Sequence, residues 1–282
     1  MICEVGTGFA YSTIQAAITA CPNGGTVRAN ATAGNAYAEE LSISNKRVRL
    51  YGGLPEQGIS VVGVAGANPA LKVSGSGGVT LENLSFSNVG SAATYVVELN
   101  VAEDWISRCR IDGNGVMRCL QGQFGDNVLL KNGTHGLAPS CGGQVVIFHF
   151  SCVNMTTEGM RANATSGTFQ GCLTYNCNSL GFINAGATYS AWNFSDDPTA
   201  PGPRSWPGIP LADIAFLDYA GGNFLLSINT RAWVPGISPM ALDLLGNRRL
   251  RDGRACRITG GCHDPFPPAP DWLSGASQIR QV

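Results

Sequence analysis

Lysine is almost missing from this chain, occurring only at positions 46, 72 and 131 of 282 residues. Charged residues of every kind make up 13%, and the net charge is −1. No basic run or patch stands out, so the electrostatic footprint of a nucleic-acid-binding protein is absent. The loose bunch of Arg248, Arg249, Arg251, Arg254 and Arg257 reads as a solvated loop face. Long apolar runs are missing too, and none approaches the ~20 residues of a membrane-spanning helix. Residues 1–20 lack the basic start and continuous apolar centre of a secretory leader. If the protein is exported, Met1 is expected to stand where a leader was removed. Strong helix formers are too sparse for a helical protein.

What the chain does have is glycine, 37 residues of it, with many Ser, Thr and Asn. That composition suits short strands joined by tight turns. Ten cysteines, an even number, fit an oxidising compartment. Six N-x-S/T sequons begin at Asn30, Asn83, Asn132, Asn154, Asn163 and Asn193, and they mean glycans only in a host that glycosylates.

The first predicted element is a helix. Ser12-Thr13-Ile14-Gln15 has the form of a capping box with Ser12 as N-cap. Ile14, Ala17, Ile18 and Cys21 follow on one face, and Pro22-Asn23-Gly24-Gly25 ends it. A Cys3–Cys21 disulfide would pin the N-terminal arm to the helix end. Beyond residue 25 the apolar period changes to two, in runs such as Val48-Arg49-Leu50-Tyr51 and Leu71-Lys72-Val73-Ser74. Strands this short need neighbours stacked on them.

A repeat supplies those neighbours. Asn88, Asn132, Asn154 and Asn176 lie on a 22-residue lattice whose remaining node is Arg110. Four residues before the nodes stand Leu84, Ile106, Val128, Phe150 and Cys172. Around Arg108 the register slips, so Ile106, Cys109 and Ile111 become the inward positions and Asp112 or Asn114 takes the turn. A period of this length, with two or three short strands in it, is one coil of a β-solenoid. Stacked coils lie about 4.8 Å apart, so residues one period apart form columns. A column of Asn can bond amide to amide along the axis, and Asn tolerates the left-handed backbone of a sharp corner.

The expected fold is therefore all-β, a single-stranded right-handed parallel β-helix with an N-terminal capping helix and a loop-rich C-terminal cap. Residues 1–25 form the arm and helix, 26–198 the coils, and 199–282 the last coils, cap and Pro-rich tail of one continuous domain. Within this plan, residues 196–210 read as a loop. Tyr11-Ser12-Thr13-Ile14-Gln15-Ala16-Ala17-Ile18, then Gly24-Gly25-Thr26-Val27, then Tyr37-x-Glu39-Glu40-Leu41-x-Ile43 resembles the opening of pectin-lyase-like β-helix proteins. Ser238-Pro239-x-x-Leu242-Asp243-Leu244-Leu245-Gly246-Asn247-Arg248-Arg249 resembles the closing segment of bacterial choice-of-anchor Q surface β-helix proteins. That superfamily hosts lyases, hydrolases, esterases, adhesins and spikes, so the resemblance implies fold more than activity.

Several groups of residues are candidates for chemistry. Glu82, Asp104 and Asp126 share the 22-residue spacing and are expected to stack. Stacked carboxylates repel, so they splay into solvent, bind a cation such as Ca2+, or act as an acid and base pair. Thr134-His135-Gly136 with Asp196-Asp197 and Arg161 has the ingredients of a polygalacturonase-like set, with the His-Gly before the Asp-Asp instead of after it. Arg161 is also a candidate for the basic group a lyase requires. His149 reads as a structural surface residue. Trp105 and Trp192 either stack on sugars or pack against loops. Cys119 and Cys141 can bridge adjacent coils, Cys256 and Cys262 can close a small loop, and Cys152 and Cys172 read equally as core thiols or a bridge. No metal site is otherwise expected, and no cofactor beyond Ca2+.

Three functions remain open. One is a non-catalytic extracellular or cell-surface structural or adhesive protein, able to associate end to end into fibres through its sheet edges. Another is a polysaccharide lyase or glycoside hydrolase. The last is a carbohydrate-binding module. The expected partners are a polysaccharide, a cell-surface component or copies of the chain itself, with neither nucleic acid nor a membrane span.

Overall fold

The computed structural model describes residues 1–30, 36–52, 58–64, 68–89, 95–100, 104–113, 116–119, 123–139, 145–161, 167–183, 190–226, 233–235 and 257–259. They form a β-solenoid with three parallel walls. The first wall stacks Gly25–Ala29, Val48–Tyr51, Val79–Glu82, the first halves of Trp105–Asp112 and Gln123–Lys131, Val145–Phe148 and Gly167–Gln170. The second stacks Ala36–Ala38, Ser60–Gly63, Ser85–Asn88, the second halves of the same two long strands, Ser151–Met155 and Leu173–Cys177. The third is a 7-stranded sheet from Leu41–Ser44 to Leu180–Ile183.

The coil length is not constant. Late coils keep 22 residues, whereas Val48 pairs with Val79 and Leu41 with Leu71. Extra residues are accommodated in the connections between walls, so the mean spacing is about 24.

Corners between the first and second walls carry a left-handed residue at Asn83, Arg108, His149, Gly171 and Trp192, with φ between 50° and 66°. No register slip occurs at Arg108, contrary to expectation: the offset to the coil below is 25 residues on both sides of it, so it stands in the same corner column as Asn83, while Ile106, Cys109 and Ile111 do lie in the core. His149 is not a surface residue, as expected from sequence, but fully buried at its corner.

Asn132, Asn154 and Asn176 occupy the corner between the second and third walls, with φ of 57°, 58° and 53°. The Asn176 amide donates to Asn154 Oδ1 at 2.8 Å, Asn154 to Asn132 Oδ1 at 3.5 Å, and Asn132 to the Asp112 carboxylate at 3.0 Å. Asp112 thus forms the foot of the ladder, while Asn88 stands apart with a buried carbonyl oxygen against Gly63. Tyr219 also donates to Asn154 Oδ1, at 2.7 Å. Asn154→Ala should destabilise the protein by about 3 kcal/mol, combining ~1 kcal/mol for the left-handed backbone with ~1 kcal/mol for each of the two short bonds lost, those from Asn176 and Tyr219. Asn154→Gly should recover the backbone part, which urea titration of both variants measures.

Helix α1 (Ile14–Ala20) closes the lower end, burying Ile14, Ala17 and Ile18. Its N-cap is Thr13, not Ser12, with Ala16 N–H donating to Thr13 Oγ1. Gln15 does not reach back as a capping box requires, but pairs with the backbone of Ser42 through both ends of its amide. Glu39 substitutes for it, its two carboxylate oxygens accepting from Ile14 N–H at 2.8 Å and Gln15 N–H at 2.9 Å. At the other end Lys46 Nζ donates to the carbonyls of Ile18 and Thr19, a cation where the helix dipole favours one.

The segment 196–210 is not wholly loop. Within it Trp206–Pro207 adds a final parallel strand on Phe194–Ser195. Helix α2 (Leu211–Ile214) and an antiparallel pair, Phe216–Asp218 with Asn223–Leu226, then fold back along the outside of the second wall. Leu129, Val153 and Leu173 point outward there and are nonetheless buried. Phe224 packs on Leu129 and Val153, and Ile209 and Ile214 on Leu173 and Phe194. Tyr175, Phe216, Tyr219 and Phe224 join in an aromatic cluster with ring centroids 5.2–5.8 Å apart.

Candidate functional site

The expected acidic column does not form. Glu82 pairs in register with Ser107, and Ser107 with Asp126. Asp104 lies three residues before Ser107, at the start of its strand, because the coil from Glu82 to Ser107 is longer than 22 residues. It is buried at 1% exposure, with Oδ1 accepting from Val79 N–H at 2.8 Å. Glu82 and Asp126 share a backbone column but stand two coils apart, roughly 10 Å. The side chain of Asp126 lies outside the described residues. Register therefore keeps Asp104 out of the column that Glu82 and Asp126 share, and among the described residues no group of three or more His, Cys, Asp or Glu side chains converges.

Glu82 instead holds two guanidinium groups. Arg49 Nη2 lies 2.5 Å and Arg108 Nη2 3.7 Å from Glu82 Oε2. Arg49 arrives from the strand below, and Arg108 from the left-handed corner of the coil above.

On the third wall His135 pairs in register with Glu158, and Glu158 with Leu180. Glu158 is buried, with one oxygen 3.2 Å from His135 Nδ1 and the other accepting from Arg161 Nη2 at 2.7 Å. Thr157 Oγ1 donates to the Thr134 carbonyl, so it can only accept from His135 Nδ1, 2.8 Å away. In the neutral ring that arrangement places the proton on Nδ1 and leaves the lone pair on Nε2. Arg161 is therefore committed to a carboxylate, and the basic nitrogen in this group is the imidazole's.

Asp196 and Asp197 do not join His135. Asp196 accepts from Asn176 N–H at 2.8 Å, and burial raises its carboxyl pKa. Asp197 seals the upper end of the third wall by accepting from Gly181 N–H, and it also takes bonds from Ser195 and Thr199. Thr199 Oγ1 accepts from Phe182 N–H beside it. Burial opposes the charged form of Asp197, but these donors outweigh it and hold its carboxyl below the usual range. A depressed folded-state pKa means the unfolded chain binds the proton more readily, so Asp197 stabilises the fold above about pH 4 and ceases to as pH falls through its folded value. Asp197→Asn should lower the melting temperature at pH 7, and the gap to the unaltered protein should narrow as pH falls through the depressed folded-state pKa of Asp197, as thermal melts over an acid pH series would record.

Trp105 is a half-buried strand residue in register with Thr80 and Phe124. Trp192 packs beside the cluster of Leu173, Phe194, Ile209 and Ile214, and the Arg204 guanidinium lies 5.0 Å over its ring. Cys3 and Cys21 are free, buried thiols and not a disulfide. Burial first, and the adjacent Cys3 thiol second, raise the pKa of Cys21. Both sulfurs sit in the core beneath α1, where Cys21 also fills the space beside Gly25. Cys109, Cys152, Cys172 and Cys177 are likewise free, and burial pushes Cys109 and Cys177 up to about 12. The side chain of Cys119, and Cys141, Cys256 and Cys262 altogether, lie outside the described residues.

The sequence singled out neither the Arg49–Glu82–Arg108 cluster nor the His135–Glu158 pair. The second had a legible signal: Gly136, Gly159 and Gly181 recur at 23 and 22 residues, and the residue preceding each is His135, Glu158 or Leu180.

With three walls in parallel register and a ladder at the corner, the architecture is decided. The fold is a parallel β-solenoid. No family model matches the chain, and no curated protein does. Among solved structures it is similar to pectin methylesterase from Aspergillus niger in two deglycosylated forms. One is 13% identical, with a TM-score of 0.46 over 71% of this chain and 73% of that one. The other is 12% identical, with a TM-score of 0.47 over 74% and 87%. A point mutant of a pectin methylesterase in complex with a hexasaccharide is also similar, at 12% identity and a TM-score of 0.43 over 80% and 77%. These are likenesses of overall fold and carry no residue of those enzymes onto this chain.

Proposed function

We propose that this protein is a non-catalytic extracellular or cell-surface β-helix that adheres to polysaccharide or another cell-surface component. The observation that supports this most is the engagement of its carboxylates. Glu82 is shared by two guanidinium groups, Asp104 accepts a backbone N–H, and Glu158 lies between His135 and Arg161. A glycosidase needs two carboxyl groups about 5–9 Å apart with one free to ionise and one to protonate. The C-terminal resemblance to bacterial surface proteins favours the same reading. The capped ends favour a discrete particle over a fibre: α1 covers the lower coil, and Asp197 and Thr199 take the N–H groups of the uppermost strand of the third wall. Edges treated in this way do not template further strands.

One observation favours an enzyme instead. His135, with its proton fixed on Nδ1, presents Nε2 as a general base. The test is incubation with acidic and neutral polysaccharides, with and without Ca2+, following unsaturated-product absorbance, reducing ends and retention on the immobilised polymer. Retention without turnover is expected. Turnover abolished in His135→Gln would replace the adhesive reading with the enzymatic one.

A further inference from the structure

The outer face of the second wall changes character along the helix axis. Upward from Leu129 it is apolar and covered by the C-terminal segment. Below, it is polar and open. Ser60, Ser85 and Arg110 stack in one column, and Ser87, Asp112 and Lys131 in the next. With the backbone of Phe86 they line a cleft of about 210 Å3 at the margin of the folded-back segment. Their parity is outward, since the intervening Val61, Phe86 and Ile111 are buried in the core.

The charges in this cleft are not equally engaged. Asp112 is fully occupied: Lys131 Nζ lies 3.0 Å from one oxygen, and Asn132 donates to the other at 3.0 Å. Lys131 is also held near the Phe224 ring, 5.8 Å from its centroid. Among the described residues no carboxylate pairs with Arg110, and the hydroxyls of Ser60, Ser85 and Ser87 have no partner. The cleft therefore holds two cations against one carboxylate, with the unpaired cation a guanidinium, the group best shaped to take an oxyanion through two parallel N–H bonds. Hydroxyls repeat beside it at the coil interval of about 4.8 Å.

We propose that this cleft binds an oxyanion carried on a hydroxyl-rich molecule, a sugar bearing a carboxylate or a sulfate. Arg110 takes the oxyanion, Ser85 and Ser87 take neighbouring hydroxyls, and Ser60 extends the site one coil down. The proposal rests on the adhesive reading above and gives it a location, on a wall separate from both the Glu82 cluster and His135.

The test uses the full chain and two anionic probes, a sulfated oligosaccharide and a glucuronate oligosaccharide, with a neutral glucose oligosaccharide alongside. Titration calorimetry compares the unaltered protein with Arg110→Gln, with Ser85→Asp, which sets a carboxylate one coil below the guanidinium, and with Arg28→Gln, an equal charge change at an exposed position outside the cleft. Melting temperatures confirm that each variant folds. Both cleft variants should lose tenfold or more in affinity for the anionic probe that binds, while Arg28→Gln stays within twofold. Which probe binds distinguishes carboxylate from sulfate. Unchanged affinity in the cleft variants, an equal loss in Arg28→Gln, or no binding of either anionic probe to the unaltered protein would overturn the site. None of those results produces turnover, so the adhesive reading is judged separately by the polysaccharide screen.

Discussion

Glu82→Gln should destabilise the fold by about 3 kcal/mol, in the range found when one partner of a buried ion pair is removed. For a chain of this size that lowers the melting temperature by roughly 6–12 °C. The carboxylate side chain is 12% exposed, as is that of Arg108, and the second guanidinium, Arg49, lies against the same oxygen. Without the charge, two cations face each other, and Arg108 is too enclosed to turn into water. Its Nε is already buried without a partner. Arg49→Gln alone should cost under about 1 kcal/mol, because its side chain is half exposed. The double variant Glu82→Gln with Arg108→Asn should regain much of the loss, since Asn is at ease in the left-handed corner. Calorimetry of the three variants separates the effects. A single Glu82→Gln with unaltered melting would show that the cluster contributes nothing to the fold.

Gly136→Ala is the second change with a large expected effect. A methyl group there would fall 2.1 Å from the Gly159 carbonyl oxygen and 2.5 Å from Cys152 Sγ. Overpacking usually costs about 1–3 kcal/mol, and a clash with backbone belongs at about the upper end of that range. Adding Cys152→Ala should not restore stability, because the carbonyl remains. The same contact recurs one coil up, where a Cβ on Gly159 would lie 2.4 Å from the Gly181 carbonyl. Chemical denaturation of the single and double variants measures both.

Much of the fold was legible because its columns are written into the chain at a fixed interval. Asn132, Asn154 and Asn176 recur at that interval and sit at one corner, and the spacing of Ile106, Cys109 and Ile111 marks not a slip but the left-handed corner at Arg108. The acidic column failed for the opposite reason. Insertions between walls change a coil's length without disturbing its strands, so Asp104 kept the interval but lost the register. The covered outer face was missed because alternation assigns one side of a strand to solvent. Adjacent apolar pairs such as Leu129-Leu130 and Cys152-Val153 were the sign that both sides are buried. The oxyanion cleft left no comparable mark, for it depends on which cation in a stack has a carboxylate opposite it.

The fold-back of residues 211–226 has a consequence for how the protein is made. Each coil can close on the one before it as the chain leaves the ribosome, since the solenoid needs only its nearest neighbour. Leu129, Val153 and Leu173 cannot be shielded until Ile214, Phe216 and Phe224 have emerged, many residues later. During that interval a nearly complete molecule carries an apolar stripe along one flank. A ribosome stalled in this stretch, or a stop codon before residue 211, would leave behind a well-formed solenoid whose own side adheres to its copies.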